Sequence, residues 1–306
     1  MFAYPNTSGL RGDPGTILVL ILEGGLRPTE LESALGMPTP LMWASAAGPI
    51  LSEWQDSARA VSSNDLWILT PNSEPFRDVQ GVHVMQDSDE YRGTAGVVRD
   101  AAVAADGLAE TLIVCEGRRR PLVDLGEVLN SHFSRDLDVT VVGDGRGGYL
   151  GVTVIRRGVI AETVSRLGYQ DLKEQWIEKI TREGARVGMH RVEVPRFSMP
   201  LHSRDDLLRS AELTPRGVRR RGREGSAPRG GVVGKDAEVH ETARIDNSIV
   251  FGGGRVAEGA LVVRSVVGPG ADVGPVQVVV DRVVTGREPH PARGRGSDAR
   301  RQGRSR

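Results

Sequence analysis

Lysine is almost missing from this chain of 306 residues. It occurs only at Lys173, Lys179 and Lys235, so 37 of the 40 basic side chains are arginine. Any chemistry that needs a lysine before residue 173 is therefore excluded. Arginine does not simply replace a phosphate-binding lysine, because its planar guanidinium group has a different hydrogen-bonding geometry.

Cysteine and long apolar runs are also scarce. The single cysteine, Cys115, excludes a disulfide within the chain and a cysteine zinc cluster, and its place in an apolar run indicates a core residue. The longest apolar run, residues 16–22, is far shorter than the roughly 20 residues of a membrane span. We therefore expect no membrane span, no signal peptide and a cytoplasmic location.

The net charge of zero hides two basic segments. Residues 215–231 carry six arginines and one glutamate, and residues 287–306 carry seven arginines and two acids, so each segment has a net charge of +5. Both are rich in Gly, Pro and Ser and too poor in apolar side chains to fold alone. We predict a linker over 211–231, a disordered tail over 287–306 and a flexible N-terminus over 1–15.

The role of these basic segments stays open. They could contact the phosphates of RNA or an anionic membrane surface, or they could act only as solubilising segments. No aromatic residues are interleaved with the arginines, so base stacking is unsupported and nucleic acid is not an expected partner.

Short apolar runs alternate with helical patterns between residues 16 and 210. Runs typical of buried strands occupy 16–22, 65–70, 79–85, 111–115, 138–142 and 150–155. Helical patterns occupy 50–61, 94–105, 122–134 and 171–183. This alternation predicts a Rossmann-like α/β domain with a mostly parallel sheet over 16–210.

The apolar spacing changes to six residues after the linker. The aliphatic series is Val233, Val239, Ile245, then Val256, Val262, then Val267, Val273, and the small residues four positions on are Ala237, Ala243, Ala260 and Ala271. This pattern predicts a short left-handed parallel β-helix of about two to three coils over 232–286. We expect residues 251–255 (FGGGR) to form a loop between coils, and His240 to be a surface side chain.

One family shares several of these segments in the same order. Residues 22–42 read LEGGLRPTELESALGMPTPLM, which resembles the L-A-G-G-x-G-T-R-L-x-P-L-T-x-x-x-P-K-P-L-L motif of the sugar-1-phosphate nucleotidyltransferases, including mannose-1-phosphate guanylyltransferases. Residues 48–51 (GPIL), 92–97 (RGTAGV) and 171–174 (DLKE) resemble further segments of that family. The resemblance covers roughly residues 16–286.

The resemblance implies a fold and a binding site. The implied fold is a GT-A type nucleotidyltransferase domain followed by a left-handed parallel β-helix. The implied contacts with a nucleotide or nucleotide-sugar are Gly24, Gly25, Gly93, Thr94 and Gly96. The first two glycines could equally form an ordinary turn between a strand and a helix, and residues 93–96 could be only a helix N-terminus capped by Thr94.

The positions that carry the family's reactive groups differ in this chain. Thr29 stands at the phosphate-binding arginine, Thr39 at the first lysine, and Gly117 and Pro200 at the two metal-binding aspartates. Only a short segment separates residues 142 and 150, where the family has an insertion with a second lysine. These changes predict an impaired catalytic site.

Neighbouring residues offer an alternative in which activity is kept. Arg27 could reach a triphosphate, Glu116 could bind a metal, and Arg118, Arg119 and Arg120 could supply positive charge. Arg27 and Glu116 are therefore the catalytic candidates and Glu116 the metal candidate, with Mg²⁺ as a cofactor only if the protein is active.

The reading we favour is a binding protein rather than an enzyme. We expect a pseudoenzyme of cell-envelope carbohydrate metabolism that binds a sugar nucleotide, or acts as a regulatory subunit in a homo-oligomer or beside a catalytic paralogue. The alternative is an active sugar-1-phosphate nucleotidyltransferase, which forms an NDP-sugar and pyrophosphate.

Overall fold

The computed structural model describes residues 16–24, 28–37, 39–45, 48–62, 66–87, 92–192, 199–212 and 231–286. The predicted N-terminal segment, the tail and almost all of the predicted linker lie outside the described residues. Gly25 and Arg27 also lie outside them, so two of the predicted site residues have no described position.

The part before the linker is built from helices and strands in alternation. The helices are α1 (Glu30–Leu35), α2 (Ile50–Arg59), α3 (Gly93–Ala104), α4 (Leu125–Ser134), α5 (Arg157–Thr163), α6 (Glu178–Arg182) and α7 (Arg204–Glu212). The strands are β1 (Ile17–Leu22), β2 (Ala44–Ser45), β3 (Gly48–Pro49), β4 (Leu66–Thr70), β5 (Val82–Gln86), β6 (Thr111–Glu116), β7 (Arg119–Arg120), β8 (Val139–Asp144), β9 (Tyr149–Arg156), β10 (Val187–Val192) and β11 (Met199–Pro200).

A seven-stranded sheet organises this part of the chain. Its strand order is β10-β8-β9-β6-β1-β4-β5, and all neighbouring pairs are parallel except the two that involve β9. The expected α/β architecture with a mostly parallel sheet is thus confirmed. The winding direction reverses between β1 and β6, and in open α/β sheets ligands bind outside the carboxyl ends of the strands at such a point.

The apolar run in β1 follows from its position at the centre of the sheet. Ile17, Val19 and Ile21 pack into one hydrophobic cluster, with α2 and α4, and Leu18 and Leu20 pack into the cluster on the opposite face, with α3 and α5. Successive side chains of a strand point to opposite faces, so a strand covered by helices on both sides needs an unbroken apolar run.

The structure corrects several predicted elements. The run at 79–85 gives a strand only from Val82, because Gly81 adopts a positive φ of 71° and turns the chain. The helix predicted at 171–183 begins with a π-helical turn, Leu172–Ile177, before α6. The helices α1 and α5 and the strand β10 were not predicted. The strand β10 lies at the sheet edge and is only half-buried, so its sequence lacks an apolar run.

The C-terminal part consists of ten very short strands. They are β12 (Val232–Val233), β13 (Glu238–Val239), β14 (Arg244–Asp246), β15 (Ile249–Val250), β16 (Arg255–Val256), β17 (Leu261–Val263), β18 (Val266–Val267), β19 (Asp272–Val273), β20 (Val278–Val280) and β21 (Val283–Val284). They form three parallel sheets, β12-β15-β18-β21, β13-β16-β19 and β14-β17-β20. Each strand pairs with the strand 17 residues further on, so the chain makes three turns and begins a fourth.

This C-terminal part, residues 231–286, is called the coil below. On two of its three sides, the inward aliphatic side chains keep the predicted spacing of six residues. The buried inward positions are Ile245, Val250, Val256, Val262, Val267, Val273 and Val279, which advance by steps of five or six residues. The segment 251–255 was wrongly predicted to be a loop between coils. Residues 251–254 form a corner of the coil that stacks on the preceding and following corners. Gly253 N donates to Asp236 O in the preceding corner, and Gly270 N in the following corner donates to Gly253 O. Val233, predicted to be interior, is 41% exposed since it lies in the first turn.

Candidate functional site

Two cavities lie at the carboxyl edge of the central strands. The larger, of about 340 Å³, lies between the ends of β1 and β4 and the start of α3. Its lining residues are Leu22, Glu23, Gly24, Leu69, Pro71, Asp87, Gly93, Thr94, Val97 and Tyr169. The smaller, of about 190 Å³, shares Glu23, Gly24 and Pro71 with it and is also lined by Pro28, Thr39, Thr70, Asn72, Pro75, Phe76 and Arg118. Both cavities thus adjoin the carboxyl end of β1, one strand of the β1–β6 pair at which the winding direction reverses, and the larger lies on the β4 side of β1.

Three of the predicted contact residues meet at these cavities. Gly24 lines both cavities, and Gly93 and Thr94 line the larger one. Gly96 is not among the lining residues; it is buried against Arg92, whose Cβ would lie 2.6 Å from a Cβ placed on Gly96. The structure thus brings together part of the predicted set and assigns Gly96 to helix packing.

The N-terminus of α3 is joined to the segment before α6. Gly93 has a φ of 71°, and a Cβ there would lie 2.5 Å from the carbonyl oxygen of Gln170. Thr94 does not cap α3; its Oγ1 donates to Asp171 Oδ2 at 3.0 Å and accepts from Leu172 N at 2.8 Å. Ala95 N also donates to Gln170 O. These contacts fix the wall of the larger cavity.

The segment that would hold phosphates forms helix α1 instead. Thr29 is its N-cap: Thr29 Oγ1 accepts from Glu32 N at 3.1 Å, and Thr29 N donates to Glu32 Oε2 at 2.5 Å. These reciprocal bonds form a capping box, which the Thr-x-x-Glu spacing in the sequence could have revealed. Backbone N–H groups of this turn are therefore used within the helix.

Glu116, the metal candidate, is held by two basic side chains. Its Oε2 accepts from Arg119 Nε at 2.7 Å, and its Oε1 accepts from Lys173 Nζ at 3.1 Å. Burial raises the pKa of Glu116, but the hydrogen bond from Arg119 and the charge of Lys173 outweigh burial, so its pKa lies below the ordinary value. Lys173 also lies over the Tyr149 ring, with Nζ 4.4 Å from the ring centroid. Glu116 is thus an ion-paired carboxylate.

Of the three consecutive arginines, only Arg118 lines one of these two cavities, the smaller one, so the three do not converge there as expected. Arg118 forms two hydrogen bonds with Glu32, both at 3.0 Å. Arg119 binds Glu116, and Arg120 is fully buried and binds Glu53 at 2.7 and 2.9 Å. The alternation of β7 sends successive side chains in different directions, so their charges are divided among three carboxylates.

Glu23 is the site residue that sequence reasoning missed. It follows β1, lines both cavities and is only 5% exposed. Burial raises its pKa to about 7, although a hydrogen bond from Thr39 and the charge of Arg118 act in the opposite direction. Its Oε2 atom has no hydrogen-bond partner among the described residues. An acid directly after an apolar strand was the available signal.

The residues that the structure describes contain neither a cluster of metal-binding side chains nor a helix that could span a membrane. Nowhere among them do three or more His, Cys, Asp or Glu side chains gather as a metal site would require. None of the described helices combines the length and apolar character that crossing a membrane demands. No protein-family model matches the chain, and no curated protein is significantly similar to it.

Proposed function

We propose that this chain is a nucleotidyltransferase-like protein that binds a nucleotide or nucleotide-sugar and has little or no transferase activity. The proposed fold is a GT-A type domain followed by a left-handed parallel β-helix. The strand order with a single antiparallel strand, β9, and the parallel coil with its 17-residue turns support this assignment. The cavity lined by Gly24, Gly93 and Thr94 is the proposed nucleotide site.

One observation carries the proposal of lost catalysis. Transfer between phosphates requires positive charge directed at the reacting groups. In the described part of the site, Arg118, Arg119, Arg120 and Lys173 are all bound to carboxylates of the protein. Moving Arg118 or Arg120 to a ligand would leave a buried carboxylate, Glu32 or Glu53, without its ion pair. Moving Arg119 or Lys173 would leave Glu116 with one cation instead of two. The ligand contacts must offset these costs.

The role of such a protein would be regulatory. A protein that binds a sugar nucleotide without converting it exerts its effect through contacts with other proteins. We therefore propose a homo-oligomer or a complex with a catalytic paralogue. Cell-envelope carbohydrate metabolism and a cytoplasmic location complete this proposal. Copurification of this protein with a sugar-1-phosphate nucleotidyltransferase of the same cells would support it. Substitutions on the surface that contacts the transferase should abolish the copurification.

A two-part experiment tests the proposed function. The purified protein is incubated with Mg²⁺, each nucleoside triphosphate and a panel of sugar-1-phosphates, and pyrophosphate is measured. Thermal denaturation is then recorded with the corresponding nucleotide-sugars. We expect no pyrophosphate release and a rise in melting temperature. Robust release that Glu116→Ala abolishes would establish the active enzyme instead.

A pair of variants on one helix localises the binding. Val97 lines the larger cavity, and the Val97→Phe side chain would fill it. Val103 lies on the same helix, is 49% exposed and is not a cavity residue, so Val103→Phe is the matched control. We expect the nucleotide-sugar to stabilise the control and not Val97→Phe.

A further inference from the structure

The Glu23 carboxyl group occupies the space above Gly117. A Cβ placed on Gly117 would lie 2.2 Å from Glu23 Oε2, so no other side chain fits at that position while Glu23 is there. Gly117 directly follows β6, and its N–H donates to Leu22 O at the end of β1. The carboxylate therefore lies between the ends of the two central strands, where the winding direction of the sheet reverses.

Within the part of the chain that the structure describes, no basic side chain forms a hydrogen bond with Glu23 Oε2. The charge of Arg118 acts on the Glu23 carboxylate, and both hydrogen bonds of Arg118 given above go to Glu32. Thr39 donates a hydrogen bond to the Glu23 carboxylate, and Oε2 has no partner among the described residues. A buried carboxylate in this position attracts a cation or a proton.

A phosphate ligand at the same place would also lack a bonded cation. The four basic side chains described at this edge are in ion pairs, so a nucleotide needs positive charge from elsewhere. Mg²⁺ is commonly held by one or two carboxylates together with the phosphate oxygens of the ligand. The smaller cavity offers the Glu23 carboxylate; the side-chain oxygens of Thr70 and Asn72 also line it, but both take part in hydrogen bonds of the turn after β4.

We infer that Glu23 is the carboxylate that holds the divalent cation of a metal–nucleotide complex at the carboxyl edge of β1 and β6. This inference rests on the proposed nucleotide binding and names the residue through which that binding depends on metal. Glu116 is the rival ligand, but both of its oxygens accept hydrogen bonds from basic side chains. Among the buried carboxylate oxygens of the described residues, only Glu23 Oε2 has no hydrogen-bond partner.

Calorimetric titration with ATP, GTP, CTP and UTP tests the inference. Each nucleotide is titrated into the protein with Mg²⁺ and again with EDTA. We expect at least one nucleotide to bind about tenfold more tightly with Mg²⁺, which corresponds to about 1.4 kcal/mol. Glu23→Gln keeps the shape of the side chain and should remove this difference. The exposed acid on α4 gives the control, Glu127→Gln, which should retain it.

A carboxylate moved to the other strand provides the sharper test. Gly117→Asp alone should destabilise the fold, because its Cβ would meet Glu23 Oε2 at 2.2 Å. In the double variant Glu23→Ala, Gly117→Asp the closest contact is gone and a carboxylate again reaches the same space, although the new Cβ still lies 3.0 Å from Ile21 Cγ2 and 3.1 Å from Leu22 O. We expect the Mg²⁺ dependence to return, at least in part, in the double variant.

The outcomes separate this inference from the proposed function. Binding that is equal with Mg²⁺ and with EDTA overturns the role of Glu23 and leaves nucleotide binding in place. A Mg²⁺ dependence that survives Glu23→Gln but is lost in Glu116→Gln assigns the cation to Glu116 and also overturns it. If none of the four nucleotides binds under either condition, and no nucleotide-sugar stabilises the protein, both proposals are wrong.

Discussion

Glu23 makes the stability of this protein depend on pH. Its folded-state pKa of about 7 lies above the ordinary value of 4.5. Between these values the unfolded chain releases its proton while the folded chain keeps it, so stability falls as the pH rises, by about 3 kcal/mol in total. We expect Glu23→Gln to raise the melting temperature at pH 8 and not at pH 4, in EDTA. An equal shift at both pH values would contradict the raised pKa.

His132 acts in the opposite direction. It is fully buried in α4, with Nδ1 2.9 Å from Thr140 Oγ1, and burial together with the charge of Arg156 lowers its pKa to about 4. Below pH 6.5 the unfolded histidine takes up a proton and the folded one does not, so stability falls as the pH decreases to 4, by about 3 kcal/mol.

Replacing this histidine should remove that dependence. His132→Gln does not titrate, so its free energy of unfolding in urea should be less sensitive to pH between 6.5 and 4 than that of the wild type. The control is His240→Gln, at an exposed histidine of the coil. If both variants keep the wild-type slope, another group is responsible for the loss of stability in acid.

At the scale of elements, a buried ion pair ties three of them together. Arg120 of β7 binds both carboxylate oxygens of Glu53 on α2 and also donates to the carbonyl oxygen of Ser210 on α7. We expect Arg120→Met to lower the free energy of unfolding by about 3–5 kcal/mol, because it leaves Glu53 buried without its cation. In the double variant Arg120→Met, Glu53→Met much of the loss should be recovered. Equal destabilisation of both variants in urea would show that packing, not charge, dominates.

Four non-glycine residues of the coil have a positive φ, Asn247, Arg264, Val276 and Asp281, and Val276 is the β-branched one among them. Val276 has a φ of 57°, a left-handed conformation that β-branched side chains rarely adopt, and it is 75% exposed. Gly259, 17 residues earlier, has a φ of 66° at the equivalent position. We expect Val276→Gly to raise the free energy of unfolding by up to about 1 kcal/mol, since relief of strain exceeds the entropy cost of glycine. Val278→Gly, in extended backbone, should instead destabilise.

Local sequence patterns predicted most of the helices and strands of the part before the linker. Each of the six apolar runs overlaps a strand, because a strand covered on both faces must be apolar at every position. The helix α1 was not predicted because its 6 residues are too few to show a helical apolar period, and its one clear sequence signal is the capping pair Thr29 and Glu32. The corner at 251–255 was misread because the coil repeats every 17 residues, and one of its three sides is a residue shorter than the pattern of six.

The candidate site was harder to predict than the fold, since it depends on pairs distant in sequence. Arg118 and Glu32 are 86 residues apart, and Arg120 and Glu53 are 67 apart. No periodicity reports such contacts, so the arginines could be counted but not assigned to partners. The overlap of Glu23 with the space above Gly117 likewise depends on the pairing of β1 with β6.

At the scale of the whole molecule, the coil shares one hydrophobic core with the part of the chain before the linker, which is called the α/β part here. Val232, Ile249 and Val266 point outward from one sheet of the coil and belong to the same buried cluster as Leu31 and Leu35 of α1. This sheet is therefore covered on both faces, which explains why β15 and β18 are apolar at both of their positions. Helix α1, formed where a phosphate-binding segment was expected, thus packs against the coil.

The shared core predicts that the two parts unfold together. All four tryptophans, Trp43, Trp54, Trp67 and Trp176, lie in the α/β part, so their fluorescence reports on that part alone, whereas far-ultraviolet circular dichroism reports on the whole chain. In the wild type both signals should give one coincident transition in urea.

A charge placed in the shared core should separate the two transitions. Val266 is fully buried against the α/β part, and Val266→Asp puts a carboxylate there without a partner, which costs several kcal/mol unless the contact opens. We expect the fluorescence and dichroism transitions to diverge in this variant. Val278→Asp places the same charge on an exposed position of the coil and should keep them coincident. Divergent transitions in the wild type would show instead that the coil folds independently, and that the packing of α1 against it contributes little to the stability of the site.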